Sequence, residues 1–496
     1  MKKFSCFKRQ TSGKRLGVIV CLAFLFLSQE TMVLAQDKSQ PESSSNSFQE
    51  NYESSLNFAL NVFQNVVADA KPDENVVVSP LGFYRALEAT SLGASGETKT
   101  EIDAVLKGAI GSDDWRTRSA AVFKALKSGD ELSSAGCLLT KSTVGAQESY
   151  VEQLRALRDD FTVFNVEGDA DSSVVNDWVE KKTNGSVRDF LTTIEFQASS
   201  FIVVDAISFQ GKWKEAFNPD GTRDDVFCSV DSKLYLIPVM HTGGKFRYCE
   251  RDGFQYVELD YQDGRYTMAL IAPSSNSDYQ SAEKKLNARE IADWNRSAPL
   301  TKIGLSLPKF NANFKTSLKA VAEKMGVRIA FDERKANFAA LTGRDEDGLF
   351  YLSQILQNAT LNVDEQGTEA RVATSSHVTV LSAPPLVEFC RPFIYFIREN
   401  STGQIAFIGR MVKPVAGPNE PPLEEYRMRI FKPSVDPRKT PLGGNQLGSA
   451  TQGGVSGDPD NATPNDAGSG STDGGVLSHG KGGDGAQLGG FRSRSE

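Results

Sequence analysis

The chain has 496 residues, of which 39% are hydrophobic and 24% are charged, and its formal net charge is −8. An apolar fraction of this size supports a folded core and excludes a wholly disordered chain. Only three histidines occur, His241, His377 and His479, and they are far apart in sequence. A Ser-His-Asp hydrolase or a multi-histidine metal site would have to use one of these, so composition argues against most classes of enzyme.

The first 35 residues have the pattern of a cleavable secretory signal. Six lysines and arginines precede an apolar run from Leu16 to Leu27, and small residues follow at Val33 and Ala35. The run is shorter than the roughly 20 residues that span a bilayer, although a signal anchor is the competing interpretation. Removing six positive charges and one negative charge takes the net charge from −8 to −13. A chain this acidic is not expected to bind nucleic acid through a general basic field.

Two further segments flank the predicted folded region. Residues 36–50 are rich in Ser, Gln and Asn and are expected to be flexible, and residues 416–496 form a Pro-, Gly-, Ser- and Asp-rich extension. Neither segment has enough apolar surface to fold alone. The C-terminal extension is interpreted as a disordered, solvated tail, with a docking role as the alternative.

The pattern of residues 51–415 predicts one large mixed α/β domain. Apolar residues at helical spacing from Leu56 to Val66 predict a helix, and Ser79-Pro80 begins another. The apolar run Phe201–Phe209 predicts a strand buried on both faces, and Tyr256–Pro273 predicts a hairpin that turns at 262–264. A further helix is predicted at Val174–Leu191, with a break at Asn184-Gly185. Further strands are predicted at Ile303–Pro308, Ala359–Val363, Phe393–Ile397 and Ile405–Ile408.

Residues 367–382 have a composition that suits both a loop and a strand. They are small or polar, rich in Thr, Ser and Val, and contain no proline, which first returns at Pro384-Pro385. Threonine and valine favour strands, and a segment without proline can donate the backbone hydrogen bonds of a central strand. On composition alone, an ordinary surface loop between two strands is the favoured interpretation.

Several motifs in residues 51–415 resemble those of the serpin family and occur in the family's order and spacing. The matching segments are Asn75–Pro80 (NVVVSP), Ser91–Gly96 (SLGASG), Asn176–Gly185 (NDWVEKKTNG), Phe209–Trp213 (FQGKW), Leu307–Phe310 (LPKF), Asp364–Ala370 (DEQGTEA), Arg391–Phe393 (RPF) and Phe407–Arg410 (FIGR). The resemblance implies a mixed α/β (α+β) serpin fold with three β-sheets, eight to nine helices and an exposed reactive-centre loop.

The resemblance also implies which residues carry inhibition. The hinge of the reactive-centre loop would be Glu365, Gly367, Thr368, Glu369 and Ala370. Counting forward from Gly367 and counting back from Pro392 both place the reactive bond at Leu381–Ser382. A leucine there suits the apolar specificity pocket of a chymotrypsin-like or elastase-like serine protease.

A secreted, extracellular suicide inhibitor is therefore expected. The serine of the target protease attacks the Leu381 carbonyl, and cleavage frees residues 367–381 to insert as a new strand of the large sheet. The inhibitor itself supplies no catalytic residue, metal or cofactor, and it is expected to act as a monomer away from membranes. The alternative is a non-inhibitory serpin that serves as a binding or carrier protein.

The chain departs from the family's pattern at two places. Arg371 replaces one of the small residues that usually follow the hinge, although strand alternation would face it outward with Glu369. In the shutter and breach regions the residues that match are Asn75, Ser79, Pro80 and Trp213. The residues that differ are Gly82, Asp205 and Gln357, which stand where Ser, Asn and His are usual. A buried Asp205 needs another donor, with Gln357 as the candidate, or its pKa should rise.

The remaining expectations concern modification and further partners. Candidate glycosylation sequons begin at Asn184, Asn295 and Asn400. The cysteines outside the signal segment are Cys137, Cys228, Cys249 and Cys390, and free buried thiols are as compatible with the sequence as any of the three pairings. Basic residues between Arg116 and Lys127 have acidic neighbours, which argues against a heparin-binding helix.

Overall fold

A computed structural model describes residues 41–112, 114–126, 129–141, 143–166, 172–192, 200–274, 279–344, 350–367 and 384–414. The helices of this part are α1 (Pro41–Asp69), α2 (Pro80–Gly93), α3 (Gly96–Ile110), α4 (Trp115–Leu126), α5 (Glu148–Leu157), α6 (Ser172–Lys182), α7 (Tyr279–Lys285), α8 (Ala288–Ser297), α9 (Lys319–Lys324) and α10 (Ala339–Thr342). Short 3-10 turns occur at Pro219–Gly221 and Ile329–Phe331.

The strands of the described residues lie in two hydrogen-bonded sheets. They are β1 (Val76–Val78), β2 (Leu132–Lys141), β3 (Phe161–Val166), β4 (Phe201–Phe209), β5 (Arg223–Cys228), β6 (Leu234–Arg251), β7 (Phe254–Asp260), β8 (Tyr266–Pro273), β9 (Leu300–Pro308), β10 (Phe310–Ser317), β11 (Leu352–Val363), β12 (Leu386–Glu388), β13 (Phe393–Glu399) and β14 (Ile405–Met411).

The five-stranded sheet has the order β10-β11-β4-β2-β3. Its two central strands, β11 and β4, run parallel, with a register that extends from Leu352 opposite Phe201 to Leu361 opposite Phe209. We call this paired edge of β4 and β11 the seam. The strands outside it, β10 and β2, are antiparallel to their neighbours at the seam.

The nine-stranded sheet has two parts that share the 18-residue strand β6. Residues 234–247 of β6 pair with β5 and β9, and β9 pairs in turn with β12. Residues 247–251 pair with β7, which leads through β8, β13 and β14 to β1. Together with the five-stranded sheet, these two parts correspond to the three sheets that the resemblance implies, so the predicted fold class is confirmed.

Strand β4 is buried along its whole length, as its continuous apolar run predicts. Phe201, Val203 and Ile207 face the large core that also contains α1 and α2. Ile202, Val204 and Ala206 face a smaller cluster formed with α6. The predicted hairpin is also present, with β7 and β8 joined by a turn at 261–265.

The first helix begins earlier than the composition indicated. Residues 41–50 were expected to be flexible, but α1 already starts at Pro41, so that expectation is wrong for this stretch. The physical reason is packing within the helix, because the ring of Phe48 stacks on the fully buried ring of Tyr52 with centroids 6.0 Å apart. A core anchor at Tyr52 allows the helix to extend outward through residues whose own composition favours a coil.

Helix α6 is shorter than the predicted 174–191 and ends at Lys182. Asn184 and Gly185 follow in the left-handed region, with φ of 52° and 79°, which stops the helix at the predicted break.

Among the described residues, no helix combines the length and apolar character needed to cross a bilayer.

Candidate functional site

The N-terminus of α2 contacts the seam through Ser79 and Gln357. Ser79 caps α2 by accepting the Gly82 N–H at 2.9 Å, and its hydroxyl donates to the Ala406 carbonyl at 2.6 Å. Gln357 on β11 accepts the Ser79 N–H at 2.8 Å and donates to the Ser79 carbonyl at 2.9 Å. Because Pro80 holds the first helical position, it fixes the chain direction at this contact.

Asp205 lies directly opposite Gln357 across the seam. Its side chain and that of Gln357 fill the space where residue 82 would carry a side chain. A β-carbon on Gly82 would lie 2.0 Å from Asp205 Oδ2 and 2.8 Å from Gln357 Nε2. The replacement of a usual serine by Gly82 is therefore explained by the two larger side chains that face it.

The charged partner of Asp205 is Arg85, which the sequence analysis missed. Arg85 Nη1 lies 3.1 Å from Asp205 Oδ1, and Arg85 Nη2 lies 2.9 Å from Asp160 Oδ2. Arg85, and not the expected Gln357, is thus the principal partner of Asp205, since the Gln357 amide oxygen and one of its N–H groups bond to Ser79 and the side chain has only a smaller effect on Asp205. The predicted rise in pKa is present: burial raises the pKa of Asp205 to about 6, against the opposing effect of Arg85.

A second buried ion pair continues this cluster along α2. Glu88 pairs closely with Arg158, and the Ser119 hydroxyl donates to Glu88 at 2.7 Å. The Arg158 guanidinium also lies over the ring of Phe123. Glu88 is one turn beyond Arg85, so a single helix face carries both charges into the core.

Trp213 connects the end of β11 with the segment that follows β4. Its indole Nε1–H donates to the Asp364 carbonyl at 2.8 Å, and its backbone N–H donates to the Gln366 carbonyl at 3.1 Å. The indole stacks on the ring of Tyr261 with centroids 4.4 Å apart. These contacts place Trp213 at the top of the seam, where the predicted hinge begins.

The first part of the predicted hinge is held by two interactions of Glu365 and by a turn at Gly367. Glu365 accepts a hydrogen bond from Thr222 Oγ1 at 2.8 Å, and Lys309 Nζ lies 2.8 Å from its other oxygen. Gly367 has a φ of +82°, and a β-carbon there would lie 2.0 Å from the Gly211 carbonyl oxygen. Only glycine fits this turn. The remaining predicted residues Thr368, Glu369, Ala370, Arg371, Leu381 and Ser382 lie outside the described residues.

Asn75 is not part of the seam, although it was grouped with the shutter and breach residues. Its Oδ1 accepts the Val412 N–H at 2.8 Å, and its Nδ2 donates to the Lys413 carbonyl at 2.6 Å. Asn75 therefore fixes the start of β1 to the residues after β14. The structure brings Ser79, Asp205 and Gln357 together, whereas Asn75 stabilises another part of the core.

The amide nitrogens of all three predicted glycosylation residues donate hydrogen bonds. Asn184 is exposed, and its Nδ2 donates to Ser133 Oγ at 3.1 Å. Asn295 Nδ2 donates to Glu258 at 2.6 Å, and Asn400 Nδ2 donates to Gly264 and Thr267 at 2.9 Å each. A glycan on Asn295 or Asn400 would replace these hydrogen bonds. The four cysteines of the described residues are free thiols, two of them buried and two half-buried.

The described residues offer few groups for catalysis or metal binding. His241 Nδ1 lies 3.0 Å from the Ser306 hydroxyl, but Ser306 is only 1% exposed and cannot reach a substrate. His377 and His479 lie outside the described residues. No group of three or more His, Cys, Asp or Glu side chains in this part of the chain is placed to hold a metal ion.

Residues 53–414 match the family model of the serpins, described as serine protease inhibitors. Human glia-derived nexin is 30% identical over 374 residues, which cover 72% of this chain and 92% of that protein. Plasminogen activator inhibitor 1 of the pig is also 30% identical, over 72% of this chain and 91% of its own length. A serine protease inhibitor of the jellyfish Cyanea capillata is 28% identical over 73% of this chain and 98% of its own.

Solved structures give the same relationship. The crystal structure of native protease nexin-1 with heparin superposes with a TM-score of 0.65 at 27% sequence identity. The match covers 74% of this chain and all of that chain. The five-stranded sheet, the seam and the described part of the hinge all fall within the span that the family model covers.

Proposed function

The chain belongs to the serpin family, and on that premise we propose that it is a secreted suicide inhibitor of a chymotrypsin-like or elastase-like serine protease. Its reactive bond would be Leu381–Ser382, in the reactive-centre loop that joins β11 to β12. The protease supplies the catalytic serine, and this chain supplies a bait bond and a sheet that accepts a new strand. The relatives named above are themselves protease inhibitors.

The observation that carries the proposal is the parallel pairing of β4 and β11 next to the hinge. A segment that reverses direction after Gly367 and enters the seam would be antiparallel to both neighbours. One parallel pairing would then be replaced by two antiparallel ones. Antiparallel pairs are slightly more stable per residue and twice as many are made, so insertion is favourable once cleavage frees the segment.

The alternation of residues 368–381 supports insertion. The even-numbered residues are Thr368, Ala370, Val372, Thr374, Ser376, Val378 and Val380, and none is charged. The odd-numbered residues include Glu369, Arg371 and His377, which are the only titratable side chains of the segment. In a strand these two sets face opposite sides, so one uncharged face can enter the core while the charged residues stay outside.

The length of the segment also fits. Fourteen residues separate Gly367 from the proposed bond, and β11 has 12 residues. At about 3.4 Å per residue, the freed strand is long enough to pair along all of β11. Arg371 falls on the outward set and therefore slows insertion little, in agreement with an inhibitory rather than a decayed hinge.

We propose further that heparin is not an important partner. The nexin structure was solved with heparin, which is a property of that protein and not of this chain. In this chain, Arg116 on α4 pairs with Asp103 at 3.0 Å, and Arg118 is hydrogen-bonded to Asn51. Two of the basic residues in this helix are therefore already engaged, and the net charge of the whole chain is −8. Elution from a heparin column at low salt is expected.

The decisive experiment mixes the purified secreted protein with chymotrypsin and with neutrophil-type elastase. A complex that survives denaturing electrophoresis, together with a released fragment that begins at Ser382, is expected. Chymotrypsin whose catalytic serine has been blocked serves as the control and should yield neither product.

Cleavage at Leu381–Ser382 without a stable complex would favour the binding or carrier protein instead. Thermal unfolding of the cleaved protein separates the two cases further. Insertion completes the sheet and raises the unfolding temperature of the cleaved form, whereas a cleaved loop that stays outside leaves it unchanged.

A further inference from the structure

Five charged side chains lie together between α2 and the seam. They are Arg85, Glu88, Arg158, Asp160 and Asp205, and all but Asp160 are at most 2% exposed. Three carboxylates face two guanidinium groups, so the cluster carries one net negative charge when every member is ionised. A net charge in the core is unfavourable unless hydrogen bonds and solvent compensate for it.

Asp205 is the least compensated of the three carboxylates. Glu88 has Arg158 and the Ser119 hydroxyl as partners, and Asp160 accepts from the Ser134 hydroxyl at 2.8 Å in addition to its contact with Arg85. Asp205 shares Arg85 with Asp160. Neither of its oxygens accepts a hydrogen bond of good geometry from the described residues. One of the two Gln357 N–H groups is used by the Ser79 carbonyl, and the nearby Gln357 amide lowers the pKa of Asp205 less than Arg85 does.

This carboxylate occupies the position where the sheet would open. Asp205 faces Gln357 of β11 on one side and Gly136 of β2 on the other. The charged or titratable groups that face it are Arg85 on α2, Asp160 before β3 and Cys137 on β2. When β4 and β11 separate, water can reach the Asp205 carboxylate and supply the hydrogen bonds that the closed sheet lacks.

We propose that the ionised Asp205 carboxylate raises the free energy of the closed sheet and so favours opening of the seam, whereas its protonation holds the sheet closed. The inference rests on the proposed insertion at the seam, but its test requires no protease. The charge state of Asp205 then controls how readily β4 and β11 separate. Insertion is therefore faster at neutral than at acidic pH.

The direction of the pH dependence follows from the difference between the pKa of Asp205 in the closed sheet and its pKa in the open sheet. Burial, partly opposed by Arg85 and reinforced by Asp160, raises the pKa of Asp205 from its ordinary 3.8 to about 6 in the closed sheet. In an open sheet, hydration returns the pKa toward its ordinary value. The closed state therefore binds the proton more tightly, and the resulting stabilisation is complete below pH 3.8 and is lost as the pH rises through about 6.

The test measures how fast the full-length protein takes up a fluorescent peptide with the sequence of residues 368–381. The peptide has blocked termini and carries Gln in place of His377, so that none of its groups has a pKa between 5 and 8. Wild-type uptake should be about tenfold faster at pH 7.5 than at pH 5, because pH 5 lies about one unit below the closed-sheet pKa of about 6 and protonation there stabilises the closed sheet about tenfold. The surface variant Asp293→Asn should behave like wild type.

Asp205→Asn should incorporate the peptide at every pH about as slowly as wild type does at pH 5. Asp160→Asn keeps Asp205 but leaves Arg85 to it alone, and it should move the midpoint of the wild-type profile to lower pH. This second variant tests the inference even if Asp205→Asn does not fold.

Three results would overturn the inference: uptake independent of pH in wild type, an unchanged pH profile in Asp205→Asn, or an unmoved midpoint in Asp160→Asn. Absence of uptake at every pH would also overturn it. Formation of covalent protease complexes by the same preparation would then show that the proposed inhibitory function itself stands.

Discussion

Lys309 Nζ lies 2.8 Å from Glu365 Oε2 and ties the first residues of the hinge to the turn between β9 and β10. Thr222 supports the same carboxylate from the other side at 2.8 Å. Burial alone would raise the pKa of Glu365, but the hydrogen bonds from Lys309 and Thr222 outweigh it and lower the pKa. The described part of the hinge is therefore fixed at Glu365.

Replacement of this carboxylate by an amide, Glu365→Gln, should destabilise the native protein by about 1 kcal/mol at pH 7, since Lys309 is partly exposed and its pair is weakened by solvent. The pKa of Glu365 is lowered in the folded state, so its contribution is present above the ordinary value of 4.5 and is lost as the pH falls through the folded pKa. Unfolding temperatures measured from pH 7 to pH 3 should show wild type and variant converging at the acid end. Glu152→Gln, an exposed glutamate on α5, should match wild type throughout, and a constant difference down to pH 3 would contradict the assignment.

The indole of Trp213 should stabilise the closed top of the seam through its hydrogen bond to Asp364. Trp213→Phe retains an aromatic ring against Tyr261 but leaves the Asp364 carbonyl without this donor, at a cost of about 1–2 kcal/mol. Guanidinium unfolding followed by circular dichroism measures the loss. Trp178→Phe is a matched control, because Trp178 packs edge-on against Phe164. Its replacement removes the same ring area but no hydrogen bond at the seam. Equal losses in both variants would mean that ring packing, not the hydrogen bond, is responsible.

Two glycines on neighbouring helices should respond in opposite directions to the same substitution. Gly82→Ala places a methyl group against Asp205 Oδ2 and Gln357 Nε2, and overpacking of this kind costs about 1–3 kcal/mol. Gly108→Ala on α3 meets nothing within 4 Å and should gain about 0.5–1 kcal/mol from helix propensity. Chemical denaturation of both variants gives the comparison. A neutral Gly82→Ala would show that the Asp205 and Gln357 side chains can move aside.

The strands could be predicted where the local pattern alone determines burial. Phe201–Phe209 is apolar in all but two positions and is buried on both faces, so β4 has the bounds that its sequence predicts. The start of α1 could not be predicted in this way, because Phe48 and Tyr52 order a stretch whose composition favours a coil. Local pattern predicts an element only when its own residues supply the stabilising contacts.

The partner of Asp205 could not be predicted because it is a long-range contact. Arg85 is 120 positions earlier in the chain, so no local pattern connects it with Asp205. A signal was nevertheless present, since α2 has apolar residues on every side and leaves no polar face for Arg85. A charged residue in a helix buried all round requires a buried counter-charge, and Asp205 was the buried carboxylate without a partner.

The identity of residue 381 should decide which proteases are inhibited. Leu381→Arg should abolish complex formation with chymotrypsin, because the charged side chain would be buried in an apolar pocket without a partner. The same variant should gain inhibition of trypsin, whose pocket bears a carboxylate, with a change in the ratio of the two rate constants of about a hundredfold or more. Second-order rate constants with the two proteases are the measurement.

Leu386→Arg provides the matched control for this prediction. Leu386 is a leucine only five positions later, is 60% exposed on β12 and lies outside the segment proposed to insert. Its replacement should leave both rate constants near the wild-type values. Residue 381 belongs to the outward set of the inserted strand, so Leu381→Arg should also leave the stability of the cleaved protein unchanged. If Leu386→Arg, and not Leu381→Arg, switched the specificity, the reactive bond would have to lie nearer β12.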